Sequence, residues 1–207
     1  DLKVSQQMAT QKMVYLAIGA LGLAVLVPVG LGVMTANQPN CGDYDRLMIQ
    51  DPDLMLPSSS GSIVGLKPDT TARLFYFGYS YCPAMCPFDL SRNVDATEQL
   101  QTQGTLVEPV FVTIDPQRDT QDWMQDYTQS YSDTLLGLSG SLDQTETAKQ
   151  QFQVYAKRVD DDPEFYLFDH STLTYLWKPN TNVVEIFRND LSSEQLAQQI
   201  ACVMNTA

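Results

Sequence analysis

The sequence predicts a three-layer α/β domain built on a mixed sheet, carried behind one N-terminal transmembrane helix. Three observations lead there. Residues 13–34 hold no formal charge over 22 positions and are rich in Leu, Val, Ala and Gly. Beyond residue 62, strand-like apolar runs alternate with helical patterns, in the order β–β–α–β–α–β–α–β–β–α. The last two strand-like runs flank a short polar connection and read as a hairpin, so part of the sheet is antiparallel and the whole is mixed.

The apolar run comes first. At about 1.5 Å per residue it reaches about 33 Å, enough to cross a hydrocarbon core. It is longer than a signal-peptide core, and Pro28 near its end is tolerated in such a helix. Lys3 and Lys12 precede it and acid-rich sequence follows. The positive-inside rule then leaves the N-terminus in the cytoplasm or matrix and the main domain in a periplasm or intermembrane space. The chain divides into a short leading segment at 1–12, the span at 13–34, a linker or irregular extension at 35–61 and the domain at 62–207. The lipid bilayer is therefore a partner. A formal net charge of -13 argues against nucleic acid, which requires a basic surface.

Asn, Asp, Pro and Ser are frequent in residues 35–61, and Pro57 to Gly61 is a turn signal. A short edge strand is expected at 62–66 and the central strand at 73–77. The stretch ARLFYFGYSYCPAMCPFDL, residues 72–90, reads as a buried strand, a loop with Cys82 and Cys86, and a helix start. Pro87 suits a first helical turn, where its missing N–H is not needed. The helix runs over 88–103 and stops at Gly104. The second strong strand spans 106–114. Thr120 caps the next helix, with Asp122 in its first turn. A short strand at 134–138 follows. Asp143 and Glu146 form a capping-box pattern for a helix towards Tyr155. Residues 157–164 read as a charged loop, 172–177 and 183–187 as the hairpin strands, and Ser192 with Gln195 as the cap of the final helix.

The four cysteines are Cys41, Cys82, Cys86 and Cys202, and they allow three complete pairings. A Cys41–Cys202 bridge would tie the two ends of the domain together; two separate thiols are the alternative. A helix N-terminus lowers thiol pKa, so Cys82 and Cys86 are candidates for redox or metal chemistry. His170 is the single histidine, some 84 residues on. Two thiolates and an imidazole suit Cu(I), and also Cu(II) or Zn. Two other readings stay open: a cycling dithiol, and an inert local disulfide with an ordinary histidine.

FGYSYCPAMCPFDLS resembles the signature of the Sco (SenC-type) family of cytochrome c oxidase copper-site assembly proteins. The family's DP-x-RDT loop has its counterpart in Asp115-Pro116-Gln117-Arg118-Asp119-Thr120, and its D-H-S/T segment in Asp169-His170-Ser171. The resemblance covers residues 62–204. It implies a thioredoxin-like domain that binds one copper ion, Cu(I) or Cu(II), through Cys82, Cys86 and His170. It further implies a copper chaperone for the dinuclear site of cytochrome c oxidase subunit II, in the bacterial or mitochondrial inner membrane. Metallochaperone activity is expected ahead of an enzymatic one. A thiol–disulfide reductase of that site, with Cys82 and Cys86 as its catalytic pair, is one alternative. A stable accessory subunit touching other respiratory-complex subunits is another. Asp169 would help place the ligand loop, with Asp115, Arg118 and Asp119 in a supporting loop. Cys41 and Cys202 fall outside the implied ligand set. Ala84 replaces an aspartate the family often has, and Gln121 a proline.

Overall fold

The computed structural model describes residues 41–206, apart from 43, 49–54, 66–69, 160–161 and 163–164. The predicted span at 13–34 and the segment before it lie outside the described residues. No helix among the described residues is long and apolar enough to cross a membrane.

The elements are β1 (Asp45–Met48), β2 (Met55–Pro57), β3 (Ile63–Gly65), β4 (Ala72–Gly78), α1 (Met85–Thr102), β5 (Val107–Thr113), α2 (Gln121–Gln129), β6 (Leu136–Leu138), α3 (Leu142–Gln151), β7 (Ala156–Arg158), β8 (Phe168–His170), β9 (Thr174–Trp177), β10 (Val183–Phe187) and α4 (Ser193–Asn205). Six strands form one sheet in the order β1-β10-β9-β4-β5-β6. β4, β5 and β6 run parallel through the crossover helices α1 and α2, while β1, β10 and β9 are antiparallel additions. The mixed sheet is as expected. β4 lies between β9 and β5 with helices and core on both faces. That is why its sequence is an unbroken apolar run rather than an alternation.

The two faces can be followed through one register. Leu74 pairs with Leu176, and both join Leu100 of α1 and Ile200 of α4 in one apolar cluster. Phe75 pairs with Tyr175 on the opposite face, where Phe152, just after α3, packs on Phe75, Phe77, Tyr175 and Trp177. The parallel pairing brings the ends of β4 and β5 together. The Ile114 N–H donates to the Gly78 carbonyl at 2.8 Å, so the chains leaving these strands start side by side. This is the edge at which open α/β sheets place their ligands.

Four local expectations are corrected. Residues 35–61 are not wholly irregular: β1 pairs with β10 at the sheet edge, and β2 pairs with β3. The strand expected at 62–66 is β3, which belongs to this separate ribbon. The ribbon lies on the β6 edge through Ser59 N–H to the Gly137 carbonyl at 2.8 Å and Ser139 N–H to the Pro57 carbonyl at 3.0 Å. The capping box of α3 is Ser141 with Gln144, two residues earlier than Asp143 with Glu146. Residues 156–158, read in part as charged loop, form β7, because β8 supplies its partner strand. Thr120 and Ser192 cap α2 and α4 as expected, the latter with a full capping box.

Cys41 and Cys202 are joined in a disulfide that closes 161 residues between the segment before β1 and α4. Chain-entropy reasoning gives such a loop about 5 kcal/mol, and measured bridges commonly deliver about 2–4 kcal/mol. Replacing both cysteines with serine should therefore lower the unfolding free energy by about 2–5 kcal/mol. A denaturant midpoint equal to that of the parent chain would show that the staple does not restrict the unfolded state.

Candidate metal centre

β4 ends at Gly78, and the chain then makes a tight turn, closed by the Cys82 N–H donating to the Tyr79 carbonyl at 3.2 Å. α1 begins at Met85, three residues earlier than the periodicity suggests, so Cys86 lies in its first turn with Pro87 beside it. Ala84, the N-cap residue, offers no side-chain acceptor. The Cys86 N–H, one of the unpaired donors of a helix start, points instead at Cys82 Sγ, 3.4 Å away. The thiol thus lies where a capping oxygen normally would, facing the positive end of α1.

Gly78 supplies the space for the second sulfur. A Cβ at that position would lie 2.8 Å from Cys86 Sγ, closer than side-chain carbons come to other heavy atoms. His170 arrives from the other side on β8, which pairs with β7. Its Nδ1 is 3.0 Å from the Ser171 carbonyl oxygen, which only accepts, so Nδ1 carries the proton. Nε2 lies 3.5 Å from Cys86 Sγ. The rings of Tyr76 and Tyr79 stand edge-on to the imidazole, with centroids at 6.5 and 5.8 Å. The result is a cluster in which Cys82 Sγ, Cys86 Sγ and a His170 ring nitrogen all lie within 4.8 Å of one another.

Both cysteines are free thiols, Cys82 half-buried and Cys86 buried. Their acidities are split. Cys86 donates its S–H to Cys82, which holds the Cys82 thiol far below its ordinary range. The same contact, together with burial, pushes Cys86 far above it. Cys82 is therefore the more acidic thiol of the pair and Cys86 the less acidic.

The supporting residues are dispersed. Asp119 is fully buried and reaches beyond its own loop: Oδ2 accepts the Ser80 N–H at 3.0 Å and the Thr113 hydroxyl at 2.6 Å, and Oδ1 accepts the Ser80 hydroxyl at 2.5 Å. Asp119 thus fixes the turn that leads to Cys82. Arg118 pairs with Asp115 at 2.5 Å and lies over Tyr166 and Tyr81, with its guanidinium carbon 3.6 and 4.7 Å from the ring centroids. Asp115 also accepts the Tyr166 hydroxyl at 2.8 Å. Asp169 neighbours His170 in β8, but its side chain is on the exposed side and, among the described residues, its carboxylate accepts a long contact, 3.4 Å, from the Tyr155 hydroxyl. His170 is instead held by the adjacent Ser171 carbonyl.

Residues not anticipated also shape the site. Tyr79 accepts the Phe168 N–H on its hydroxyl at 3.2 Å, tying the histidine strand to the cysteine turn. Behind Cys86, the Tyr76 hydroxyl donates to buried Asp89 at 2.9 Å, and Asp89 pairs with Arg92 at 3.2 Å. Cys86, Asp89, Asn93 and Arg92 fall on one side of α1. The polar residues on that inward face were the available signal.

Fold and site together define a thioredoxin-like domain with a two-thiol, one-imidazole cluster at the carboxyl edge of its parallel strands. The SCO1/SenC family model matches residues 62–205, and the chain belongs to that family. It is 29% identical to Protein SenC of Rhodobacter capsulatus, across 96% of this chain and 89% of that protein. It is 37% identical to human mitochondrial SCO2, across 61% of this chain and 49% of that protein. Its fold is similar to copper-bound ScoI of Arabidopsis thaliana, with a TM-score of 0.68, 27% identity and coverage of 73% of this chain and 96% of that one. BsSco, a member of the Sco family of cytochrome c oxidase assembly proteins, shares the fold at a TM-score of 0.60 and 18% identity, over 79% of this chain and 98% of that one.

Proposed function

We propose that this protein binds one copper ion, Cu(I) or Cu(II), through Cys82 Sγ, Cys86 Sγ and His170 Nε2, and delivers it to the dinuclear site of cytochrome c oxidase subunit II. The observation that carries this reading is the convergence of three donor atoms within 4.8 Å, two of them soft sulfurs. The donor set fits the chemistry of copper: two sulfurs and an imidazole Nε2 converge from the cysteine turn, the first turn of α1 and β8. Copper is cargo here. Cys82 and His170 are partly exposed while Cys86 is buried, so an incoming ligand would meet Cys82 and His170 first and displace Cys86 last. The span at 13–34 would anchor the domain at the outer face of a bacterial or mitochondrial inner membrane, where the oxidase subunit presents its site.

The unequal thiols also favour a second reading, reduction of the target's disulfide. Cys82 thiolate would attack it and Cys86 would resolve the mixed disulfide, leaving a dithiol on the target and a Cys82–Cys86 disulfide here.

His170→Ala separates the two. Copper affinity should fall by more than the roughly 10–100-fold that loss of a mere supporting partner causes, while dithiol exchange survives. Copper stoichiometry and affinity unchanged in His170→Ala would remove the three-ligand site.

A further inference from the structure

The turn before Cys82 is held from outside as well as from within. Trp123, in the first turn of α2, donates its indole N–H to Ser80 Oγ at 2.7 Å. An indole nitrogen only donates, so the Ser80 oxygen accepts there and its one hydrogen goes to Asp119 Oδ1, 2.5 Å away. The Ser80 N–H goes to the other oxygen of the same carboxylate, at 3.0 Å. Trp123 also stacks on Tyr81, the residue between Ser80 and Cys82, with ring centroids 6.1 Å apart and planes 25° from parallel. The chain Trp123–Ser80–Asp119 thus runs from a rim residue 46% exposed to a carboxylate with no exposure, and the turn bearing Cys82 lies between them.

We infer that Trp123 is a positioning residue for Cys82: its indole N–H, acting through Ser80, latches the turn that sets where the Cys82 sulfur stands and how readily it is released. The inference rests on the copper-site reading for its metal arm and on geometry alone for its thiol arm. With the latch made, Cys82 Sγ is held over the Cys86 N–H. With the N–H donor removed, Ser80 retains Asp119 but loses its outer partner, and the turn gains freedom on the solvent side. Asp119 alone cannot supply this restraint, because all its contacts with Ser80 come from the buried side.

The test compares Trp123→Phe with the parent full chain. Phenylalanine keeps a stacking ring against Tyr81 and deletes the donor. On metal-free protein, the rate of Cys82 alkylation by iodoacetamide should rise about three- to tenfold, the size expected for one lost hydrogen bond. On protein loaded with Cu(I), transfer to excess bicinchoninate should accelerate by a similar factor. The thiolate-to-Cu(II) charge-transfer band should shift or broaden, and the thermal midpoint should stay close to that of the parent. Ser80→Ala removes both the acceptor for Trp123 and the hydroxyl bond to Asp119, so it should raise both rates at least as far, and adding Trp123→Phe to it should add nothing further. Parent-like alkylation in Trp123→Phe, or full additivity of the two substitutions, overturns the latch. A chain that binds no copper would overturn the copper reading while leaving the alkylation result to decide the latch.

Discussion

Cys86→Ser is expected to abolish tight copper binding and, with it, the pH dependence of the parent's affinity. The two thiols reach neutral pH in different states. Cys82, hydrogen-bonded by Cys86 and lying at the start of α1, is already a thiolate. Cys86, donating to Cys82 in a buried position, keeps its proton well above the ordinary thiol range. Copper requires both sulfurs deprotonated, so binding expels the Cys86 proton. The sign follows directly. Below the Cys86 pKa each rise in pH makes that proton cheaper to remove, and affinity climbs about tenfold per pH unit. Cys82 contributes no slope between about pH 7 and 9, because its proton has gone before that window opens. A serine hydroxyl loses no proton in the same range and is a poor partner for a soft ion. Competition with a chromogenic Cu(I) chelator across that window measures the slope in parent and variant. A flat parent profile would mean that Cys86 is already ionised or is not a ligand. A steep profile in Cys86→Ser would place the released proton elsewhere.

How far this centre could be read from the sequence depends on the kind of contact involved. Cys82 and Cys86 are near each other because a turn and a helix start join them, and the Pro87 and apolar-run signals are local. The central strand, the hairpin and the caps Thr120 and Ser192 were legible for the same reason. The approach of His170 was not: it depends on β7 pairing with β8, and β7 reads as charged loop until its partner is known. Nor could local patterns show that Asp119 crosses to Ser80 or that Asp169 turns outward. β1 escaped notice because edge strands are short and need not be apolar; only Leu47 of its four residues is buried. The motif resemblance supplied the link between His170 and the cysteines that periodicity could not.

The polar group behind Cys86 sets the largest expected stability effect. Asp89 and Arg92 project from the inner side of α1, with side chains only 4% and 9% exposed. Burial pushes the Asp89 carboxyl above its ordinary range, and the Arg92 charge opposes that shift. Burial likewise lowers Arg92. Each charge is tolerable because the other is present. Arg92 Nη2 has further partners in Asn93 Oδ1 and Thr174 Oγ1, at 3.1 and 2.9 Å, but Nη1 makes no hydrogen bond and faces Asp89 at 3.2 Å. Asp89→Ala therefore leaves the guanidinium buried without its counter-charge and the Tyr76 hydroxyl buried without its acceptor. The expected loss is about 3–5 kcal/mol of unfolding free energy, a large share of the stability of an ordinary domain. Asp89→Asn should lose less, because its amide oxygen still accepts from Tyr76. The double replacement Asp89→Leu with Arg92→Leu should be more stable than Asp89→Ala, since no charge is then stranded. Denaturant unfolding of the four proteins gives the comparison. If Asp89→Ala costs under about 1 kcal/mol, water reaches Arg92 and the pair is not the buried counterweight described. If the double variant is the least stable of the set, packing around Asp89 and Arg92 outweighs their charge balance. In either case copper affinity, measured well below the unfolding transition, reports whether α1 still presents Cys86 against Gly78.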